Sequence, residues 1–123
     1  MIEIKPYIEH AVLVGLITPN QPEDRTKEYL DELAFLADTH GIVPIKRFTQ
    51  RLPQPHTATY VGEGKLEEIR QFIIDKEQKN EADDSIAKVD VVVFDDELSP
   101  RQIRNLENAI NRREKHPANV RVI

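Results

Sequence analysis

Three carboxylates stand in a row at Asp95, Asp96 and Glu97. Carboxylate and water oxygens are what Mg²⁺ prefers, so the three are candidate metal ligands. Ser99, Pro100 and Gln102 follow, an N-cap, a first-position proline and an S-x-x-Q capping box. The same acidic groups can therefore simply favour the positive end of that helix. A second group is Gly62-Glu63-Gly64-Lys65, ahead of another helical pattern. Backbone N–H groups at a helix start attract anions, which makes Gly62, Gly64 and Lys65 nucleotide-phosphate candidates. The full patterns fail, however. With Lys65 as the phosphate-loop lysine, the first glycine position holds Thr59 and the Ser/Thr position holds Leu66. In G-x-G-x-x-G the third glycine position holds Glu67. The alternative is a flexible turn that starts a helix. A third group, Arg47, Arg51, His56, Thr57, Tyr60 and Lys65, lies on or beside the connection TQRLPQPHTATYVGEG. Cations, hydrogen-bond donors and a ring able to stack suit RNA backbone and unstacked bases. An ordinary polar loop has the same composition.

Other chemistries lack their residues. The chain has no cysteine, hence no disulfide framework, thiolate metal site or Cys nucleophile, which fits a cytoplasmic location. His10, His40, His56 and His116 are scattered without metal-ligand spacing, which argues against zinc. No serine has an evident histidine partner, so no catalytic residue is assigned. Asp38-Thr-His-Gly41 matches the D-x-x-G pattern of GTPase switches, but it ends an amphipathic helix, where Gly41 serves as the terminating glycine. The net charge of −5 argues against a dedicated nucleic-acid binder and leaves room for a local basic patch. No apolar run approaches the roughly 18 residues of a membrane span. Met1 to Pro6 lacks the apolar stretch and cleavage site of a signal peptide.

The elements that must position these groups follow from periodicity. The 123 residues are enough for one α/β domain with a real core, residues 1–123. Ala11–Ile17 and Val91–Phe94 are unbroken apolar runs, read as strands buried on both faces. Arg25 to His40, Lys65 to about Gln78, and the Ser99-capped segment to about Arg113 have helical spacing. Ile42–Phe48 reads as a strand that Pro44 confines to an edge, and Val120–Ile123 as a last strand. Thr49–Gly64 is a long connection expected to be mobile, and Lys76–Lys88 a polar connector expected to be partly disordered. The order βαβαβαβ predicts a four-stranded parallel sheet in order 2-1-3-4, one helix on one face and two on the other. One face is then under-covered, a possible dimer surface. The carboxyl ends of parallel strands share a rim, where such folds place ligands, so loop and acidic corner should meet there. Ending on a strand suggests a fragment of a longer protein.

Two segments carry a resemblance. Pro55-His-Thr-Ala-Thr-Tyr-Val-Gly-Glu-Gly-Lys-Leu-Glu-Glu-Ile69 resembles the P-x-x-x-x-(Y/F)-(I/V)-G-x-G-K-x-x-E-(L/I) signature of the N-terminal domain of HflX-family GTPases. Val92-Val-Phe-Asp-Asp-Glu-Leu-Ser-Pro-Arg-Gln-Ile-Arg-Asn-Leu-Glu107 resembles that domain's second signature. Ala11–Gly15 and the helix with Leu33-Ala34 are similar to its opening, so the resemblance covers nearly the whole chain. It implies a domain that precedes a helical segment and a GTP-hydrolysing domain. It also implies a whole protein that acts on the large ribosomal subunit and its RNA on stalled or idle ribosomes; the alternatives for this segment are an ATP- or GTP-binding accessory domain and a plain protein-interaction module. GTP and Mg²⁺ are then expected in the GTPase domain, with no cofactor in this segment. Lys76–Lys88 is longer than the family pattern, and no phosphate loop or N-K-x-D is present, so this segment is not expected to hydrolyse GTP alone.

Overall fold

The computed structural model describes residues 7–123, so the reading of Met1–Pro6 lies outside the described residues. Strand β1 (His10–Ile17) leads to α1 (Glu23–Thr39), β2 (Val43–Arg51), α2 (Glu63–Ala82), β3 (Val91–Phe94), α3 (Pro100–Asn111) and β4 (Arg121–Val122). These four strands form one parallel sheet in the order β2-β1-β3-β4, the order expected from the sequence.

The alternation of side chains along β1 explains how helices divide between the faces. Val12, Val14 and Leu16 point to one side, where they pack with Ile69 and Ile73 of α2 and Leu106 and Ile110 of α3. Ala11 and Leu13 point to the other, where they meet Leu30, Leu33 and Ala34 of α1. Right-handed crossovers require that split for this strand order. Helix α1 packs against β1 and β2. Toward β4 the same face is barer: Val93 is only partly buried and Ile123 is 58% exposed.

Two boundaries near the site differ from the sequence reading. Strand β2 runs on to Arg51, so Thr49–Arg51 belong to the sheet and the connection is shorter. At Pro44 this edge strand carries a register shift against Ala11 and Val12, which tolerates the missing N–H. Helix α2 continues to Ala82, so much of the expected polar connector is helix. Polar residues stay helical there because Lys79 pairs with Asp75 at 3.0 Å and Glu77 with Arg113 at 2.7 Å. The chain then turns at Asp83, whose carboxylate accepts from both the N–H and the hydroxyl of Ser85.

The helix ends behave as read. Gly41 takes φ +76 after α1, and the Ile42 N–H reaches back to the Ala37 carbonyl at 2.9 Å, a left-handed terminus natural to glycine. At α3 the capping box is complete: the Gln102 N–H donates to Ser99 Oγ at 3.1 Å and the Ser99 N–H to Gln102 Oε1 at 2.9 Å. Ser99→Ala should therefore lower unfolding free energy by about 1 kcal/mol, measured by urea denaturation. A change under a few tenths would mean the box contributes nothing.

Candidate functional site: the sheet's carboxyl rim

In this strand order the direction of winding reverses between β1 and β3. Open α/β sheets hold their ligands in the crevice above that reversal. Here the crevice is filled by the chain's own side chains. Asp95, one residue past β3, is the hub. Its Oδ2 accepts from the Leu16 N–H at 3.1 Å and from Gln21 Nε2 at 2.7 Å, and its Oδ1 from the Tyr60 hydroxyl at 2.6 Å. Gln21 also donates to the Leu16 carbonyl at 2.7 Å, as does the hydroxyl of buried Thr26 at 2.7 Å. Loop, strand end and helix start are thereby tied together.

Gly15 makes room for this arrangement. A Cβ there would lie 2.8 Å from Thr26 Cγ2, too close for that methyl to stay, and 3.2 Å from Asp95 Oδ2, a contact tight enough to push the carboxylate. Gly15, Gln21 and Thr26 were not singled out from the sequence. One cue was available for the first: a glycine inside an otherwise apolar strand marks close approach by another element.

Tyr60 corrects an expectation. It is 4% exposed and stacks edge-on against Phe94 at 5.4 Å, so it offers no ring to a base. Its φ is +66, rare for a side chain of this size, within a three-residue turn closed by the Val61 N–H on the Thr59 carbonyl. Burial first, then the hydrogen bond to Asp95, pushes its hydroxyl far above the ordinary tyrosine value of 10.0. Tyr7, hydrogen-bonded to Asp90 and slightly desolvated, is pushed up to about 12. Both tyrosines keep their protons in the fold at a pH where the unfolded chain loses them. Their contribution to stability is complete below pH ~10 and declines as pH rises above it. Urea denaturation from pH 8 to 11 should show that decline, and Tyr60→Phe should make it shallower. An unchanged slope in the variant would remove Tyr60 as its source.

The loop as a whole is anchored, not loose. His56 and Tyr60 pair back to back through N–H···O bonds of 3.0 and 2.8 Å. Gln102 and Asn105 of α3 donate to the carbonyls of His56 and Ala58, each at 3.0 Å. Gln50 Oε1 accepts from the Gly62 N–H at 2.9 Å. Of the candidates within the loop, His56 and Thr57 are exposed, next to exposed Pro53, Gln54 and Pro55.

The rim candidates thus separate into three places. Arg47 and Arg51 sit on the α1 side of β2, paired with Asp31 at 2.7 Å and Glu23 at 3.4 Å, and line a cleft of about 740 Å³ with Lys27 and Asp24. His56 and Thr57 lie beside α3. Lys65 lies in the first turn of α2 and pairs with Glu68 at 2.9 Å. The Gly62–Lys65 turn therefore presents neither its first N–H nor its lysine freely to a phosphate. Nor does the acidic corner converge on a point. Asp96 Oδ1 accepts from the Glu97 N–H, and among the described residues no three His, Asp or Glu side chains come together as metal ligands.

These two signatures, meeting through Tyr60 and Asp95, have counterparts in known proteins. The family described as GTP-binding GTPase N-terminal matches residues 27–114. The GTPase HflX of Flavobacterium psychrophilum is 39% identical over 103 residues, 84% of this chain and 22% of that protein. This chain belongs to the HflX family. The GTPase HflX of Lacrimispora saccharolytica is 37% identical over 111 residues, covering 90% of the chain and 23% of that protein. That of Escherichia coli is 33% identical over 99 residues, 80% of the chain and 20% of that protein. The chain thus spans about a fifth of the length of these HflX relatives and corresponds to the family's N-terminal domain. Among the described residues no helix is long and apolar enough to cross a membrane.

Proposed function

We propose that this chain is the non-hydrolytic, RNA-contacting domain of an HflX-type GTP-binding protein that acts on the large ribosomal subunit. The observation that supports the reading is the closed crevice. Where an α/β sheet would seat a nucleotide, Asp95, Gln21, Thr26 and Tyr60 satisfy one another. The glycine turn has its lysine in an ion pair, and the acidic corner has its hub carboxylate occupied by three donors. This reading assigns nucleotide chemistry to the parent's GTPase domain. What is left for a partner is the outer surface, where shape and charge select. The helical and GTPase domains of the parent are the other neighbours this reading implies.

Amide NMR spectra of the chain, titrated separately with Mg²⁺–GTP, Mg²⁺–ATP and a structured RNA, test it. The expected result is saturable RNA binding that weakens steeply with salt, with no response to either nucleotide. Saturable nucleotide shifts at Gly62–Lys65 and Asp95–Glu97 would instead establish a nucleotide-binding domain.

A further inference from the structure

Helix α3 has an outer face with an unusual charge pattern for a chain of net charge −5. Arg101, Arg104, Asn108 and Arg112 recur at helical spacing along it, and all four are exposed. The helix contains a single carboxylate, Glu107, and that one is turned back to accept the Val122 N–H at 3.2 Å. Arg101 and Arg104 form no ion pair among the described residues, whereas Arg47, Arg51, Lys65, Arg113 and Arg121 each do. Arg112 has Glu67 as its acidic neighbour, which Arg70 and Gln71 already engage at 3.2 and 2.9 Å. At 1.5 Å per residue, the stripe from Arg101 to Arg112 is about 16 Å long. Gln102 and Asn105 hold the His56–Ala58 segment against its start, so exposed His56 and Thr57 extend it toward the rim.

We propose that this face of α3, extended by His56 and Thr57, is an RNA-binding surface that tracks the phosphate backbone of a structured RNA. The inference rests on the reading of the chain as an RNA-contacting domain and gives that reading its surface. Guanidinium groups match phosphate oxygens in a planar fork, which lysines do not. Asn108 can both donate and accept, as recognition of ribose hydroxyls requires. A rigid, uninterrupted row suits a continuous line of phosphates. The net negative charge of the rest of the chain repels a polyanion, so binding there is oriented.

The test compares two triple variants of the 123-residue chain that remove equal charge. One is Arg101→Gln, Arg104→Gln, Arg112→Gln. The other is Arg25→Gln, Lys27→Gln, Lys88→Gln, which lies off the stripe. Affinity for a ribosomal RNA hairpin is measured by fluorescence anisotropy across salt, with thermal melting confirming that each variant folds. The expected result is at least a ~10-fold loss for the stripe variant and a salt slope smaller by about 2. The control should change by less than about threefold, and the three-lysine version of the stripe should recover only part of the affinity. Equal losses in both triples would overturn the stripe while leaving RNA binding intact. An unmodified chain that fails to bind RNA would overturn the parent reading as well. Binding of poly-glutamate as tightly as RNA would overturn RNA as the partner in favour of an acidic protein.

Discussion

Replacing Tyr60 with alanine is expected to destabilise the chain by about 3–5 kcal/mol, the range for emptying a large aromatic site in a core. The ring is 4% exposed and packs against Phe94, and its loss leaves a cavity beneath the loop. The hydroxyl's loss also strips one donor from Asp95. Alanine gains nothing in return from the backbone, since φ +66 is as unfavourable for it as for tyrosine. Tyr60→Phe separates the two contributions: it keeps the ring and should cost about 1–2 kcal/mol. Urea denaturation of both variants reads the difference. A cost under 1 kcal/mol for the alanine variant would mean the loop is not docked as described.

Asp95→Ala should cost about 3 kcal/mol or more. Three donors lose their acceptor at once, the Leu16 N–H, Gln21 Nε2 and the Tyr60 hydroxyl, and each buried orphan costs about 1–3 kcal/mol before water recovers part of it. Asp95→Asn should be far milder, about 1 kcal/mol. An amide can turn its oxygen toward Leu16 and Gln21 and donate from its nitrogen to the Tyr60 oxygen. The two variants together separate hydrogen-bond geometry from charge. An asparagine as damaging as alanine would show that the negative charge itself holds the corner. Because Asp95 and Tyr60 share a bond, their alanine substitutions should combine to less than the sum of the single costs.

Much of the frame was legible because periodicity reports burial. Val91–Phe94 reads as a doubly covered strand, and Val91 and Val92 are wholly buried. Ser99, Pro100 and Gln102 read as a capping box, and both of its bonds are present. Gly41 reads as a helix terminus, and its φ is positive. Parallel pairing then follows from the alternation of strands and helices, and with the strand order 2-1-3-4 handedness fixes which face each helix takes.

The site was less legible because its residues act at long range. Gln21 and Asp95 are 74 positions apart, Tyr60 and Asp95 are 35, and nothing local in either segment announces the partner. Tyr60 sits among polar loop residues, so composition assigned it to the surface. Its burial is decided by Phe94 and Asp95, which arrive from another element. The loop's expected mobility failed for the same reason, since its anchors are Gln102 and Asn105 on α3. Lys76–Lys88 reads as a connector because its charges hide any apolar stripe, whereas ion pairs along and across the helix sustain it as far as Ala82. Charge, by contrast, was visible but averaged away. A net value of −5 conceals an arginine row on one helix that only the folded geometry separates from the acidic remainder.

Co-sedimentation of the 123-residue chain with purified large ribosomal subunits, at several salt concentrations and with and without GTP, tests the central claim most directly. The account predicts saturable binding that weakens as salt rises and is indifferent to GTP. Absence of binding at low salt, or binding that requires GTP in this isolated chain, would contradict it.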